Sequence, residues 1–352
     1  MTARPGGVNH FPRIVATEEC VTASHKRVGI RDVANAAGVS ITAVSWTLNG
    51  KGEVAESTRR RIREVAESLG YQPNEAARSL QSGRSRILGV AIAHRNSRSW
   101  EQTYLPYYRS VVAGAAMEAV EHGHAVAAIP FEADGRMRFT MPIDGMVVVD
   151  PVRDDPILAE CRRRGITVVT DGRPIDEVHD DEPMVQSDTA RGLAELFGRL
   201  DDLQVRSPAL LIGPEADSYT LDSTRYFRNW CRRAGHSTRV VRLKPGQDPV
   251  EAAGDLLDET ERPGAIHSLN ETYGNAVLEA AGRRRLRVPQ DLAVTMMGDA
   301  TSVAPGNGAV YLVLDPVAVG AAATRLLVGA LDHESVEDLL LPCRVVDSPQ
   351  WA

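Results

Sequence analysis

Long apolar runs, paired cysteines and metal-ligand spacings are missing from this sequence of 352 residues. No run of about 18 apolar residues occurs, so a transmembrane helix is not expected. The four cysteines, Cys20, Cys161, Cys231 and Cys343, form no CxxC pair, and the nine histidines show no metal-ligand spacing. We therefore predict free structural thiols in a reducing compartment, no disulfide framework, no metal site and no cofactor.

Catalytic motifs and an export signal are also missing. The sequence contains no GxSxG, no HExxH, no P-loop and no GxGxxG after a strand, so an enzyme is not expected. Residues 1–26 are polar and lack the apolar core of a signal peptide. They are interpreted as a disordered leader, and the protein is expected to be cytoplasmic.

Positive charge is concentrated near the N-terminus, although the net charge of the chain is −7. Residues 27–86 carry ten Lys/Arg and six Asp/Glu. Residues 1–26 carry three Lys/Arg and two Asp/Glu. Residues 87–352 therefore carry a net charge of −12. A basic segment on an acidic body is expected when only one domain approaches a polyanion.

Three short helices joined by tight turns are predicted within residues 27–72. Apolar residues share one helical face over 30–37, and Gly38 suits a left-handed turn. Ser40 suits the N-cap of a second helix at 41–48, and a third helix is predicted at about 57–69. Two helices joined by a glycine-containing turn and braced by a third are typical of a helix-turn-helix domain.

From residue 87 onward, buried-strand runs alternate with helical segments, which predicts parallel sheets flanked by helices. The predicted strands are 87–93, 125–129, 145–149, 166–170, 209–213, 239–243, 264–268 and 292–297. The predicted helices are 109–122, 156–164, 189–200, 222–234, 249–260, 272–283 and 316–332. The strands are too many for one compact unit, so two lobes are expected. Ligands of such folds bind beyond the carboxyl ends of the strands, here in the cleft between the lobes. The expected boundaries are about 87–187 with 316–332 for lobe 1, and about 188–315 with 333–348 for lobe 2.

Four segments near the N-terminus are IRDVANAAGVS, TAVSWTLNG, TRRRIREVAESLGYQPN and AARSLQSGRS. Through them residues 28–83 resemble the headpiece of the lactose/purine repressor (LacI/GalR) family. Residues 87–352 resemble the family's periplasmic-binding-protein-like effector domain more loosely, through segments such as IDGMVVVD, GITVVTDGRP and VQSDTARG. The implied fold is an all-α helix-turn-helix headpiece followed by an α/β domain of two parallel-sheet lobes.

The resemblance implies a homodimeric transcription repressor that binds pseudo-palindromic double-stranded operator DNA. A small-molecule effector, a sugar or related metabolite, would bind between the lobes and change the affinity for the operator. An activator or an effector-independent regulator of the same fold remains the alternative. An exported sugar-binding protein is disfavoured, because the headpiece is present and a signal peptide is not.

The family's second helix lies in the major groove, and the positions that match its DNA contacts are Ser40, Ile41, Thr42, Ser45, Trp46, Asn49 and Tyr71. Thr42 can hydrogen-bond to several bases or touch a thymine methyl, and Ile41 offers only apolar contact. Ser40, Ser45, Asn49 and Tyr71 are expected at phosphates. Trp46 departs from the basic or small polar residue common in the family, and it either contacts DNA or packs against a neighbour.

Residues 73–86 resemble the family's hinge helix and linker. Asn74 is expected as its N-cap, and Ala77 would let two paired helices approach closely. Leu80 matches the side chain that wedges into the central base step, or else it is an interdomain packing residue. Because so short a helix is unstable alone in water, it is expected to form only with DNA or a partner helix.

The expected effector-binding residues are Tyr107, Tyr108, Asp171, Ser223, Arg225, Asn270, Glu271 and Asp299. Leu105-Pro106-Tyr107-Tyr108 stands where relatives often have Asn-Pro-Phe-Phe, and Ser223 stands where many have a ligand-binding arginine. The family's helix between the second and third strands is expected to be lost, because only about 15 residues with Pro130, Gly135 and Pro142 intervene there. Residues 333–352 lack leucine heptads, so tetramerisation through them is not predicted.

Overall fold

The structure is a computed structural model that describes residues 28–48, 50, 52–71, 84–92, 105–132, 134–138, 141–175, 182–214, 216–300, 303–304 and 306–347. The chain divides into two compact units, residues 1–81 and residues 82–352. In their described parts, the first unit is all-α and the second is α/β. The predicted fold class is confirmed.

The first unit contains the three predicted helices, α1 (Ile30–Ala37), α2 (Ile41–Leu48) and α3 (Glu56–Ser68). Gly38 ends α1 at φ +63°, a left-handed conformation that glycine adopts without a steric cost. The Ser40 hydroxyl accepts the backbone N–H of Ala43 at 3.2 Å and so caps α2. The three helices enclose a small core made by Val33, Ala34, Ala37, Val44, Ile62 and Ala66.

The second unit alternates strands and helices as predicted. Its elements in chain order are β1 (Ile87–Ile92), α4 (Leu105–Glu121), β2 (Ala125–Ala128), β3 (Gly145–Val149), α5 (Pro156–Arg163), β4 (Thr167–Asp171), β5 (Met184–Ser187), α6 (Thr189–Asp202), β6 (Ala209–Ile212), α7 (Ser218–Ala234), β7 (Arg239–Arg242), α8 (Pro249–Leu257), β8 (Ala265–Ser268), α9 (Glu271–Arg283), β9 (Ala293–Asp299), β10 (Val310–Leu314), α10 (Pro316–Leu331), β11 (Leu339–Leu341) and β12 (Arg344–Val346). Four of these strands, β5, β10, β11 and β12, were not among the predicted ones.

The described strands form two sheets of six. The first has the order β11-β5-β4-β3-β1-β2 and is parallel throughout. The second has the order β12-β10-β9-β8-β6-β7 and is parallel except for β12. Because β11 joins the first sheet, the expectation that all of 333–348 belongs with the second lobe is corrected. This short segment supplies one edge strand to each sheet.

The helices that follow strands begin at capped positions. A side-chain oxygen accepts a backbone N–H in the first turn of α5, α6, α7, α8, α9 and α10. The capping residues are Asp155, Asp188, Asp217, Asp248, Asn270 and Asp315. Such caps satisfy N–H groups that have no partner inside the helix. They also fix where each helix starts after its strand, and so place helix N-termini near the carboxyl edge of each sheet.

Helices α4 and α10 pack backbone against backbone on the first sheet. A Cβ atom built on Gly320 would overlap the carbonyl oxygen of Val111, and one built on Gly114 would overlap that of Val317. Only glycine allows so close an approach at these two points. The crossing therefore depends on two residues that have no side chain.

The segment between β2 and β3 contains no helix in its described part. Phe131 and Met137 form an isolated antiparallel bridge there, and both side chains pack against the first sheet. The expected loss of one helix from the first lobe agrees with this. Elsewhere too, no described helix combines the length and the apolar character needed to cross a membrane.

The chain passes between the two sheets at three described places, namely residues 187–189, 314–316 and 341–344. We call these the interlobe crossings. Two of them are joined directly, because the backbone N–H of Asp188 donates to the carbonyl oxygen of Leu341 at 2.7 Å. The three crossings lie beside one another, because Asp188 bonds to Leu341 and β10 pairs with β12. The lobes also meet at the antiparallel bridge between Val152 and Asp217, and residues of both lobes line the cleft between them.

Candidate functional site

Helix α2 presents one continuous exposed face. Val44 and Thr47 are buried in the first unit, whereas Ile41 and Trp46 are 43% and 45% exposed. At 100° per residue, Ile41, Ser45, Thr42 and Trp46 follow one another around the opposite side of the helix. Four residues predicted to contact DNA thus share the face that the core leaves uncovered.

Trp46 packs against the loop that follows α2. Gly52 has φ +70°, and a Cβ built on it would lie 2.5 Å from the indole ring. The Arg59 guanidinium donates to the carbonyl oxygens of Gly52 and Val54 at 2.8 and 3.0 Å. Of the two alternatives for Trp46, packing against a neighbour is therefore observed, while nearly half of its surface stays open to solvent.

The other predicted DNA contacts have different surroundings. Ser40 is exposed, and its hydroxyl caps α2. Tyr71 is half-buried and packs against the core of the first unit, and its N–H donates to the carbonyl oxygen of Ala66 at 2.9 Å. Asn49, Asn74, Ala77 and Leu80, like Cys20, lie outside the described residues.

A cleft opens between the two sheets at the carboxyl ends of their strands. About 850 Å³ of space between the lobes is not filled by protein, and this volume includes space open to solvent. Six predicted effector residues line it, namely Tyr107, Tyr108, Asp171, Asn270, Glu271 and Asp299. Further lining side chains that the sequence analysis did not identify include Asp150, Gln186, Ser187, Thr189, Asp217, Ser218, Tyr219, Leu269, Met297 and Leu314.

On the first lobe, two tyrosines from the start of α4 face two aspartates at strand ends. The Tyr108 hydroxyl donates to the Asp150 carboxylate at 2.6 Å, and the Tyr107 hydroxyl donates to that of Asp171 at 3.4 Å. The two rings meet edge to face with centroids 5.6 Å apart. The wall therefore combines flat apolar surface with hydrogen-bonding oxygens.

Burial changes the pKa values of Asp171 and Tyr107 on this side of the cleft. It raises the pKa of the Asp171 carboxyl well above its ordinary value, and the nearby Asp150 carboxylate raises it further. Burial also raises the pKa of the Tyr107 hydroxyl, with the Asp171 charge as the next cause. Asp171 thus keeps its proton to a higher pH than an ordinary aspartate, and in that form it can donate a hydrogen bond to a bound molecule.

On the second lobe, two helix N-termini point to the cleft. Asp217 caps α7 by accepting the N–H of Thr220 at 2.7 Å, and Asn270 caps α9 by accepting that of Tyr273 at 2.9 Å. Asn270 is 7% exposed, and its Nδ2 has no hydrogen-bond partner. A buried donor without a partner is costly, which marks this amide as a position for a ligand oxygen.

Ser223 and Arg225 do not line the cleft, contrary to prediction. Helix α7 begins at Ser218, four residues earlier than the predicted start at 222, so residues 217–219 meet the cleft instead. Ser223 is buried within the helix packing, and Arg225 is exposed and pairs with Asp222 at 3.1 Å. Asp222 also binds Arg173, which follows β4, at 3.2 Å and so ties the two lobes together.

Carboxyl groups dominate the charged side chains of the cleft. Asp150, Asp171, Asp217, Glu271 and Asp299 line it, and the lining residues that the structure describes include no Lys, Arg or His. Carboxylates and amides arranged with aromatic rings can bind hydroxyl groups through hydrogen bonds and a flat apolar face through stacking. The arrangement suits binding of a small polar molecule.

Two family models match separate parts of the chain. Residues 29–74 match the model described as bacterial regulatory proteins, lacI family. Residues 197–347 match the model of the periplasmic binding protein-like domain. The first match covers the three-helix unit and the second covers most of the second lobe.

Curated relatives extend over nearly the whole chain. The HTH-type transcriptional regulator CelR of Thermobifida fusca is 27% identical over 90% of this chain and 95% of its own length. The catabolite control protein A of Priestia megaterium is 25% identical over 90% of this chain and 97% of its own length.

Solved structures share the fold. A lac repressor dimer bound to operator and the anti-inducer ONPF matches with a TM-score of 0.77 at 20% identity, over 93% of this chain and 100% of that chain. A complex of the regulator CelR with cellobiose matches with a TM-score of 0.63 at 22% identity, over 91% of this chain and 98% of that chain.

Proposed function

Because this chain belongs to the LacI family of bacterial regulatory proteins, we propose that it is a cytoplasmic transcription repressor whose affinity for operator DNA is set by a small molecule in the cleft. It is a DNA-binding regulator and not an enzyme, and it acts as a homodimer. Two headpieces bind the half-sites of a pseudo-palindromic operator, about one helical turn apart. An activator of the same construction is the alternative, and the position of the operator relative to the promoter distinguishes the two.

The observation that carries this proposal is the presence of two separate binding surfaces in one chain. The uncovered face of α2 has the position and size that enter a major groove. The cleft combines tyrosine rings with a few carboxyl and amide groups, as small-molecule sites do. Residues 27–72 are accordingly assigned as the DNA-binding domain, 73–86 as hinge helix and linker, and 87–352 as the effector and dimerisation domain.

The contacts at the two surfaces follow from these assignments. Ile41, Thr42 and Trp46 face base edges, whereas Ser40, Ser45, Asn49 and Tyr71 contact phosphates. In the hinge helix Asn74 is the N-cap, Ala77 faces its copy in the partner and Leu80 wedges into the minor groove. Effector binding changes the angle between the lobes, and this change alters the spacing of the paired hinge helices and hence the affinity for the operator.

A hydroxyl-rich molecule such as a sugar is the effector that the cleft fits best. Asp150, Asp217 and Asp299 offer acceptors for hydroxyl protons, and the tyrosines offer a flat surface for a sugar ring. Asn270 offers an unused donor for a ring or hydroxyl oxygen. A relative of the same fold has been solved with cellobiose, which makes disaccharides the first compounds to test.

Selection from a library of genomic fragments tests DNA recognition directly. The purified protein is expected to retain fragments that share one short palindrome at moderate salt, because two identical headpieces read identical half-sites. Sequencing of the retained DNA gives the operator, and the neighbouring genes suggest the effector. If no sequence is enriched with or without cell extract, the regulator assignment is wrong.

Asn270→Asp is expected to remove the effector response and to leave operator binding intact. The substitution keeps the Oδ1 that caps α9 but replaces the partnerless donor by an acceptor among carboxylates. We expect at least a tenfold loss of effector affinity, since a lost hydrogen bond with an added repulsive group costs more than about 1.4 kcal/mol. Release of labelled operator by mono- and disaccharides, including cellobiose, measures the effect.

Arg228→Ala is the control for this variant, because it changes an exposed charged side chain of α7 that does not line the cleft. It is expected to keep the sugar response of the unchanged protein. An Asn270→Asp protein that released the operator as readily as this control would show that Asn270 does not face the effector.

A further inference from the structure

We infer that α2 recognises thymine methyl groups, so that the operator half-site carries thymines where this helix meets the base edges. The inference rests on the proposed function, and it names the chemical feature of DNA that sets specificity. Ile41 and Trp46 are the residues that make the apolar contacts, with the methyl group of Thr42 between them on the same face.

Helix α2 lacks the side chains that usually read guanine and adenine. Guanine is usually read by Arg or Lys and adenine by Asn or Gln, through paired hydrogen bonds in the major groove. Helix α2 has the sequence ITAVSWTL, which contains none of these four residue types. The C5-methyl of thymine is the apolar feature that base pairs present in this groove, and it needs only an apolar partner.

Two large apolar side chains of α2 are exposed to solvent. Ile41 and Trp46 each leave more than two fifths of their surface in water, although the same short helix buries Val44 completely. Ile41 and Trp46 lie at the two ends of the uncovered face, with Ser45 and Thr42 between them, so this face offers apolar contacts to whatever binds it. On a helix that enters the major groove, the surface that they meet is the row of base edges.

Trp46 is held in a fixed position by the loop after α2. One side of the indole lies on Gly52, where any side chain would collide with it. The carbonyl oxygen of Gly52 is itself held by the Arg59 guanidinium at 2.8 Å. The ring is therefore oriented before DNA arrives, and binding does not have to restrict it further. Arg59 acts here as a positioning residue.

Deoxyuridine substitution tests the inference, because it removes only the methyl group and keeps base pairing. The probe is the palindrome enriched from genomic DNA, with each thymine of a half-site replaced in turn by deoxyuridine. We expect about fourfold weaker binding for each methyl that α2 covers, because the free energy of burying one apolar carbon group corresponds to about this factor. Replacement of thymines outside the half-sites is expected to change nothing.

Protein variants then assign the methyl contacts to residues. Ile41→Ala is expected to bind the thymine and deoxyuridine operators with equal affinity at the base that Ile41 contacts. Trp46→Phe is expected to reduce the difference in affinity between the two operators at the base that Trp46 contacts. Leu69→Ala is the matched control, since it removes an apolar side chain of similar exposure at the end of α3. That variant is expected to keep the full preference for thymine.

Each outcome either supports or overturns the inference that α2 recognises thymine methyl groups. An enriched operator whose binding does not change at any deoxyuridine overturns the inference and leaves the regulator assignment standing. The same holds if Ile41→Ala and Trp46→Phe both keep the unchanged thymine preference. Failure to enrich any DNA would remove the proposed function, and this inference with it.

Discussion

Gly320→Ala is expected to destabilise the α/β unit by about 3 kcal/mol and to lower its melting temperature by roughly 6–12 °C. The added methyl would overlap the backbone carbonyl of Val111 on the facing helix, and a backbone cannot turn aside as a side chain can. Helix α10 would have to move away from α4 along their whole contact. Calorimetry of the intact protein measures the change.

Gly198→Ala provides the control for this variant. Gly198 lies inside α6, and a Cβ built on it meets no atom within 4 Å. Alanine there is expected to stabilise the helix by about 0.5–1 kcal/mol, since glycine loses more backbone freedom on folding. Equal effects of the two substitutions would show that the crossing of α4 and α10 tolerates a wider separation.

The stability of the second lobe is expected to fall steeply in mild acid because of one buried histidine. His267 lies on β8 and is 1% exposed, with its Nδ1 2.9 Å from the Thr295 hydroxyl and its Nε2 without a partner. Burial lowers the pKa of His267 to about 3 from its ordinary value of 6.5. The folded protein therefore holds this ring neutral, while the unfolded chain protonates it below pH 6.5.

Linkage gives the sign and the size of this effect. Between pH 6.5 and pH 3 the unfolded state binds the extra proton, so the free energy of unfolding decreases as pH falls. The loss amounts to about 2.7 kcal/mol between pH 8 and pH 4.5 and approaches about 5 kcal/mol below pH 3. Denaturant midpoints measured across this range give the free energies directly.

His267→Gln is expected to flatten the pH dependence by this amount, since glutamine does not titrate. His333→Gln, at an exposed histidine after α10, should follow the unchanged protein at every pH. Parallel curves for His267→Gln and the unchanged protein would mean that other groups cause the loss in acid.

The main course of the fold could be predicted because strands such as β1, β3 and β6 are apolar runs of four or more residues between polar, glycine or proline segments. β10, with the sequence VYLVL after Gly308, carried this signal and was overlooked. β5 did not carry it, since MVQS alternates weakly and lies between polar segments. β11 and β12 have three residues each around Pro342, and only their pairing with the two sheets makes them strands.

The cleft was predicted in part for a similar reason. Asp171 was found as the residue at a strand's carboxyl end, and Asp150 follows β3 in the same way, so one rule could have found both. Asp217 was missed because helix α7 was predicted to start five residues after it. Ser223 and Arg225 were predicted through the resemblance alone, as the place of the family's ligand-binding arginine, whereas α7 turns the residues at its start toward the cleft.

From the sequence, packing of Trp46 was only one of two alternatives, and the neighbour could not be identified. It depends on the left-handed conformation of Gly52 and on the bond from Arg59 across the loop. Both arise only when α2 and α3 have folded together. A residue that looked like an unusual DNA contact is therefore also part of the domain's internal structure.

The three interlobe crossings limit the mechanics of the sensing domain. Two rigid bodies joined at one point can turn in any direction, whereas bodies joined at three neighbouring strands can turn easily only about the line through them. The state of the domain is then described to a first approximation by a single angle. Molecules of unlike chemistry that hold the lobes at one angle should produce the same transcriptional output, and two molecules of closely related chemistry that hold different angles should oppose each other.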